Sequence, residues 1–350
     1  MKDESVPVQR KRMGLLQWFF LAFLIVGTVW ILGRRQSSPG TFQVTSGKIF
    51  GTYYTVKYEH DQPLDSLIVQ ELEKVDRSLS MFNAQSTISQ INDNVTHRVD
   101  SSLAYVFALS QKISAETEGD FDVTVAPLVN AWGFGFKNAD KISSAVIDSL
   151  RGFVGYQLVD LQGDSIVKKD PRVMMDFSAI AKGYGVDRVA ELLNRHSIAN
   201  YMVEIGGEVV VKGSNPKGKD WLIEITRPHE QGMEMAATDD SKILLEVKDI
   251  AMATSGNYRR FYLKDGKKYA HTINGHTGYP VLHSLLSATV LSHDCATADA
   301  YATSFMVMGL DKSKAFLERH PELLAYFIYA DSVGNLDVWH SPQMEQYIKR

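Results

Sequence analysis

The chain contains a single cysteine, Cys295, among its 350 residues. A lone thiol forms no internal disulfide, so the fold cannot rest on a disulfide framework. The same scarcity excludes cysteine-cluster zinc and iron–sulfur sites and leaves oxygen or histidine to hold any metal. The ordinary reading of Cys295 itself is a small buried hydrophobe. A basic surplus is also missing, since 37 Lys and Arg against 41 Asp and Glu leave a net charge of −4. The basic residues are scattered, so nucleic acid is not expected as a partner. No internal repeat is visible.

What is present is the composition of an ordinary folded protein, 45% apolar and 22% charged, long enough for one large domain or two ordinary ones. Met13–Leu32 is nearly all apolar, interrupted by Gln17 and Thr28. As a helix this run rises roughly 30 Å, about the hydrocarbon thickness of a bilayer. Arg10, Lys11 and Arg12 precede it and Trp18 and Trp30 sit near its ends. The cations favour a cytoplasmic amino terminus, although Arg34 and Arg35 weaken the asymmetry. A cleaved signal peptide is the alternative, but no small-x-small site follows and no cysteine is there for lipid. The expected layout is therefore a cytoplasmic end (1–12), an uncleaved signal anchor (13–32), a polar linker (33–41) and a folded domain (42–350).

In that domain, strand-like runs cover Phe42–Gly47 and Thr52–Glu59, and the spacing from Leu64 to Leu79 predicts a helix ending near Met81. A second helix is expected over Leu103–Thr117. Thr124–Phe136 reads as a short helix running into a Trp132-Gly133-Phe134-Gly135 loop. Short strands are expected at Gln157–Leu161, Ser165–Lys168 and Val173–Asp176, then a helix at Ala179–Arg195. Strands dominate Tyr201–Ile273, broken at Gly206-Gly207, Asn215-Pro216 and Asp265-Gly266. A strand at Leu286–Leu291, helices at Ala298–Met308 and Asp311–Arg319, and strands at Leu323–Tyr329 and Leu336–Trp339 complete the chain. Helices and strands alternate without a regular βαβ beat, which gives an α+β class with mixed sheets flanked by helices.

Four segments carry side chains capable of chemistry. In Asp294–Thr303, a helix starting near Thr297 puts Asp299 and Thr303 on one face, two hard oxygen ligands suited to Mg²⁺. The same pattern fits Thr297 as a helix cap with Asp299 complementing the dipole. In Asp176–Gly185, a strand-to-helix junction offers free backbone groups beside Lys182, which suits an anion or a metal; a capped turn with a solvated lysine fits equally. The glycine spacing there is not that of a Walker loop. His271–Pro280 holds two histidines around an Asn274-Gly275 turn. His271 suits a general base, while hairpin chemistry alone accounts for the turn. In Gly119–Leu128, acidic residues flank Phe121 and could meet a ribose or a flavin edge, or form a plain loop.

Taken in order, FDVTVAPLVNAWGFG, DFSAIAKGYGVD, VEIGGEVVVKG, ATSGNYRR, HTINGHTGYPV and ATADAYATSFMVMG resemble the signature set of the ApbE flavin transferases. The resemblance runs from about Phe42 to Trp339, with GTYYTV and LSMF…STISQIN fitting its front end. It implies binding of FAD, use of Mg²⁺ at the pyrophosphate, and transfer of FMN to a threonine or serine hydroxyl of a partner protein with release of AMP. Some members instead hydrolyse FAD to FMN and AMP. The implied acceptors are flavin-carrying subunits of membrane redox complexes such as Na⁺-translocating NADH:quinone reductase. Their acceptor segments lie outside the membrane, in keeping with a single-pass inner-membrane protein whose domain is periplasmic. Carried over by position, the resemblance implies metal ligands at Asp299, Thr303 and the Ala179 carbonyl. It implies FAD contacts at Phe50, Ser80, Met81, Phe82, Asp122, Lys182 and Ile273, and His271 as acid–base group, with Asp299 essential to catalysis. Two positions depart from the pattern: Asn274 stands where an aspartate is usual, and Ser178-Ala179 stands for a commoner Gly-Gly. A membrane-tethered protein that only binds FAD is the non-enzymatic alternative.

Overall fold

Two alternating runs open the folded chain and pair as an antiparallel hairpin, β1 (Phe42–Ile49) and β2 (Thr52–Glu59), turned by Phe50 and Gly51. The computed structural model describes residues 41–134, 142–226, 242–257, 261–264 and 267–349. The anchor expected at 13–32, with its flanks at 1–12 and 33–40, lies outside the described residues. Among the described residues no helix is long and apolar enough to cross a membrane. Thr41–Arg350 form one compact unit.

After the hairpin come helices α1 (Asp65–Leu79), α2 (Thr87–Asn92), α3 (Ser101–Glu116), α4 (Ala126–Ala131) and α5 (Ser144–Arg151), then a small hairpin of β3 (Val159–Gln162) and β4 (Ser165–Lys168). Helix α6 (Ala181–Arg195) leads into β5 (Tyr201–Ile205) and β6 (Glu208–Lys212), and β7 (Trp221–Thr226) pairs with β8 (Lys242–Val247). Next come β9 (Ile250–Gly256), the hairpin β10 (Phe261–Lys264) and β11 (Lys267–Ala270), and β12 (Leu285–Ser292). Helices α7 (Cys295–Met308) and α8 (Leu310–Arg319) precede β13 (Leu324–Ala330) and β14 (Leu336–His340).

Eight strands form one sheet in the order β1-β2-β5-β6-β9-β12-β13-β14. Sheets and helices intermingle along the chain as an α+β fold, and every pairing in the described residues is antiparallel. The mixing therefore lies in the succession of elements and not in strand direction. Period-2 alternation assigns the faces. Val209 and Val211 of β6 and Met252 of β9 pack under the β7–β8 hairpin with Trp221 and Leu245. Tyr54, Val56, Val203, Ile205 and Ala251 face the helices, where they meet Ile68 and Leu72 of α1 and Val186, Val189 and Leu193 of α6. Each such fully buried aliphatic side chain contributes about 1.5–3 kcal/mol.

Helix α7 is buried almost all round: Ala296, Ala298, Ala300 and Ala302 let it lie close to its neighbours, and Tyr301, Phe305 and Met306 fill the core beyond. An apolar girdle of this kind marks a central helix and not a surface one.

Several expectations need correction. Val173–Asp176 is not a strand. The buried Asn92 amide takes both main-chain groups of Met175, at 2.8 Å each, and the Asp176 amide donates to Val123, so no partner strand is needed. Gln157–Leu161 begins as a 3₁₀ turn, and only Val159 onward pairs. Helix α6 starts at Ala181, two residues later than expected. Helix α7 starts at Cys295, because Asp294 and not Thr297 is its cap and accepts from the Thr297 amide at 2.8 Å. Helices α2 and α5, capped by Ser86 and Ser143, were not foreseen.

Candidate functional site

Helices α6 and α7 touch at Gly183. A Cβ there would stand 2.3 Å from the Cys295 carbonyl oxygen, so only glycine permits this approach. The contact brings the first turn of α6 against the first turns of α7, and a charged cluster results. The Gly183 amide donates to Asp299 Oδ2 at 3.1 Å. Lys182 Nζ lies 2.5 Å from Glu208 Oε1 and 3.6 Å from Asp299 Oδ1. Asp299 and Glu208 are both only 2% exposed.

An isolated charge in such a place would cost several kcal/mol, and pairing is what lets it remain. Burial alone would lower the Lys182 pKa, but Asp299 and Glu208 reverse this and hold the ammonium firmly charged. Burial raises the Glu208 pKa, against the pull of Lys182. Deeper along α6, Asp187 accepts from the Cys295 and Ala296 amides at 2.8 Å each, tying down the free N–H groups that open α7. Burial pushes Asp187 up to about 7 despite those two amides.

The same geometry frees a main-chain oxygen. In a regular helix the Gly183 amide would donate to the Ala179 carbonyl. Here it donates to Asp299, while the Tyr184 amide already closes on Ile180. The Ala179 carbonyl is thus left outside the helical ladder, at the end of α6 whose Gly183 amide meets a buried carboxylate. One turn further along α7, Thr303 Oγ1 lies 3.0 Å from Ser255 Oγ on β9. One carboxylate, one hydroxyl and one carbonyl are hard oxygen donors that fit a small divalent cation keeping positions open for phosphate and water. Among the described residues no group of three or more His, Cys, Asp or Glu could hold a metal.

A second cluster surrounds the 271–280 turn. Ile273 bridges to Pro280, the Asn274 and Tyr279 main chains are joined at 2.9 Å, and Asn274 Oδ1 accepts from the Thr277 amide at 2.9 Å. Trp132 Nε1 donates to the Gly278 carbonyl at 2.8 Å, and Ile273 is buried with Leu128, Trp132 and Ile147. The His271 ring meets Phe134 edge-on at 6.4 Å. His276 Nε2 lies 3.6 Å and Lys312 Nζ 2.5 Å from the buried Asp120 carboxylate. Asp122 caps the following 3₁₀ turn through Thr124, whose amide and hydroxyl both donate to it; burial raises its pKa against those bonds.

Lys182 is therefore brought to Asp299, with Thr303 one turn further along α7 and Ala179 just ahead of the α6 turn whose Gly183 amide meets Asp299, whereas His271, Ile273 and Asp122 gather at the turn. Strand β9 runs between the two groups: Ser255 meets Thr303, and two residues on Asn257 accepts from the Thr272 hydroxyl at 2.6 Å. Phe50 and Met81 flank the same core as Ala179. Phe50 takes a positive φ of 51°. The Ser80 carbonyl accepts from the Ser86 hydroxyl at 2.7 Å, and Phe82 is 76% exposed. Sequence reasoning missed Glu208, Asp187 and Ser255. A glutamate at the head of the apolar run Glu208–Val211 was the available signal for the first, since a charge on an inward strand position needs a partner.

The chain resembles known proteins over most of its length. The ApbE family matches residues 50–328. The FAD:protein FMN transferase of Haemophilus influenzae is 37% identical over 306 residues, spanning 83% of this chain and 87% of that protein. Its counterpart in Vibrio cholerae is 36% identical over 284 residues, spanning 78% and 83%. Among solved structures, the flavin transferase ApbE of Vibrio cholerae shares the fold with a TM-score of 0.78 at 33% identity, covering 88% of this chain and 100% of that one. The apo flavinyl transferase ApbE of Pseudomonas stutzeri gives 0.78 at 28%, covering 88% and 96%. With this coverage, and with the α6–α7 contact formed by two of the motif segments themselves, the chain belongs to the ApbE family.

Proposed function

We propose that this chain moves FMN from FAD onto a threonine or serine hydroxyl of an acceptor protein, with Mg²⁺ seated by Asp299, Thr303 and the Ala179 carbonyl. FAD:protein FMN transferase is the name borne by the relatives that align with more than three-quarters of the chain. The observation carrying the residue assignment is the diversion of the Gly183 amide to Asp299, which leaves the Ala179 carbonyl unclaimed by its helix.

The acceptor oxygen forms a bond to the FMN phosphorus, the phosphoanhydride breaks, and AMP leaves. Bound at the oxygen cluster, Mg²⁺ would neutralise charge on the pyrophosphate and on the departing phosphate. Lys182, already fixed as a cation, adds positive potential at the same place. His271 takes the proton of the attacking hydroxyl. Phe50, Ser80, Met81, Phe82, Asp122 and Ile273 line the path of the flavin and its ribityl chain.

Residues 13–32 anchor the domain to the cytoplasmic membrane, so that it works on the outer side. The acceptor is a flavin-carrying subunit of a membrane redox complex of the Na⁺-translocating NADH:quinone reductase type. The test is incubation with FAD, Mg²⁺ and an acceptor domain, followed by a search for yellow fluorescence that survives a denaturing gel. Covalent flavin together with AMP is expected. Free FMN with AMP and no labelled protein would make the chain an FAD pyrophosphatase, and FAD retained without AMP would make it a binding protein. Asp299→Ala should lower labelling by a hundred-fold or more, as is usual when a charge stabiliser is lost; near-normal labelling would remove the metal assignment.

A further inference from the structure

Glu208 is used by no step above, yet it is the nearer partner of Lys182. It opens β6 directly after Gly206-Gly207, whose positive φ angles of 64° and 107° make a two-residue hairpin turn between Ile205 and Glu208. That turn puts Glu208 on the helix side of the sheet, opposite in sense to Val209, and sends its carboxylate to the start of α6. Its Oε1 meets Lys182 Nζ at 2.5 Å, while Asp299 Oδ1 stands 3.6 Å from the same nitrogen. The other Glu208 oxygen is buried with no hydrogen-bond partner among the described residues, so the carboxylate is committed to Lys182 through one oxygen. A lysine in full contact with Asp299 would compete with any cation for that carboxylate. The lysine observed is held a full ångström nearer to Glu208.

We infer that Glu208 is a positioning residue that draws the Lys182 ammonium off Asp299, keeping Asp299 Oδ1 available to a divalent cation while leaving the lysine charge beside the phosphates. The inference rests on the reading that Asp299 holds the cation. Glu208 itself touches neither the cation nor the reacting atoms. Removing its charge hands the whole of Lys182 to Asp299, so cation binding weakens even though every ligand remains.

The experiment is Mn²⁺ binding by electron paramagnetic resonance, with Mg²⁺ competition, on the wild type, Glu208→Gln, Lys182→Met and the double variant, with thermal melting to establish folding. Glu208→Gln is expected to weaken binding about ten-fold in the wild-type background and less than three-fold when Lys182 is already methionine, because a residue acting through another loses its effect when that other is gone. With FAD and acceptor, the Mg²⁺ concentration for half-maximal rate should rise in Glu208→Gln while kcat at saturating Mg²⁺ changes less than three-fold. Equal weakening in both backgrounds would overturn the inference in favour of a simple loss of negative field. Unchanged binding in Glu208→Gln would overturn it outright. A wild type that binds no Mn²⁺, or an Asp299→Ala variant that binds it normally, would instead sink the metal reading itself and the inference with it. Should Glu208→Gln not fold, Glu208→Asp, which keeps the charge but shortens the reach by one methylene, takes its place: a two- to five-fold weakening that vanishes with Lys182→Met supports the inference, and wild-type binding overturns it.

Discussion

At the contact of α6 and α7, Lys182 and Asp299 are fixed by two closely packed helices, and Glu208 reaches them from the start of β6. At the 271–280 turn, the histidines ride on a short loop held by main-chain hydrogen bonds and one buried carboxylate. The first region has almost no slack: Gly183 has no room for a methyl, and Asp187 and Asp294 between them hold the amides that open α7. The second offers exposed and half-buried groups around Ile273 and Trp132. Such a division suits a reaction in which small, dense phosphate charge needs fixed partners while an incoming protein hydroxyl needs an approachable base.

The largest effect is expected of Gly183→Ala. Alanine gains about 1 kcal/mol of helix propensity over glycine. Against this, the added methyl meets the Cys295 carbonyl at 2.3 Å, and backbone cannot step aside as a side chain can. Overpacking of this sort costs about 1–3 kcal/mol or more. The clash wins, for a net loss on the order of 1–2 kcal/mol in urea unfolding. FMN transfer should fall a hundred-fold or more, because the Gly183 amide, Asp299 and the Ala179 carbonyl move relative to one another. Wild-type transfer in this variant would mean that the helix contact does not set the site.

Much of this could be read from residue order. The helix ending at Arg195 follows from its apolar spacing, which places its start at Ala179 rather than at the observed Ala181, and β1, β2 and β12 follow from alternation or apolar runs. Asp299 and Thr303 share a face whether the helix starts at Cys295 or Thr297, so the identity of the cap does not displace them. What stayed hidden depends on tertiary partners. Val173–Asp176 looks like a strand because Val173 and Met175 are apolar, but whether it pairs depends on Asn92, eighty-three residues away from Met175. The pairing of Lys182 stayed hidden for a similar reason: Glu208 arrives from a hairpin that no local pattern relates to α6. The diversion of the Gly183 amide is a property of two helices together and has no signature in either.

A smaller effect separates buried charge from buried shape at Asp187. Burial raises its folded pKa to about 7, above the unfolded value of 3.8. A raised carboxyl pKa stabilises the fold most below the unfolded value, and that stability is lost as pH rises toward the folded value. From pH 5 to 7 the folded state keeps a proton that the unfolded chain has shed, so the wild type should lose on the order of 1–2 kcal/mol more than Asp187→Asn over that interval. Parallel urea titrations check this. Equal slopes would mean that the two α7 amides fully offset the burial.

Smaller still is the expected change in Gly185→Ala. Its added methyl would meet the tip of the Phe50 ring at 2.7 Å, a side chain that can turn away, so stability should change by no more than about 0.5 kcal/mol. If Phe50 touches FAD as assigned, turning it away should raise the KM for FAD about three- to ten-fold with kcat little altered. An unchanged KM would remove Phe50 from the flavin contacts.

The smallest effect is expected of Asn274→Asp, at the position where the resemblance implies an aspartate. Asn274 Oδ1 accepts from the Thr277 amide at 2.9 Å, and an aspartate oxygen in the same place would accept that amide equally well. The turn therefore does not need a carboxylate for its shape. Asn274→Ala loses one side-chain bond, worth about 1 kcal/mol, and loosens the loop that carries His271 and His276. Asn274→Asp keeps the bond and adds charge on a half-buried loop. If an aspartate here serves only the turn, Asn274→Asp should leave the melting temperature within about 2 °C and the transfer rate within about two-fold of the wild type, while Asn274→Ala lowers stability by about 1 kcal/mol. A ten-fold faster Asn274→Asp enzyme would show instead that the missing carboxylate acts in the chemistry, and that the rigid and approachable regions share their electrostatic work more evenly than the geometry of either suggests.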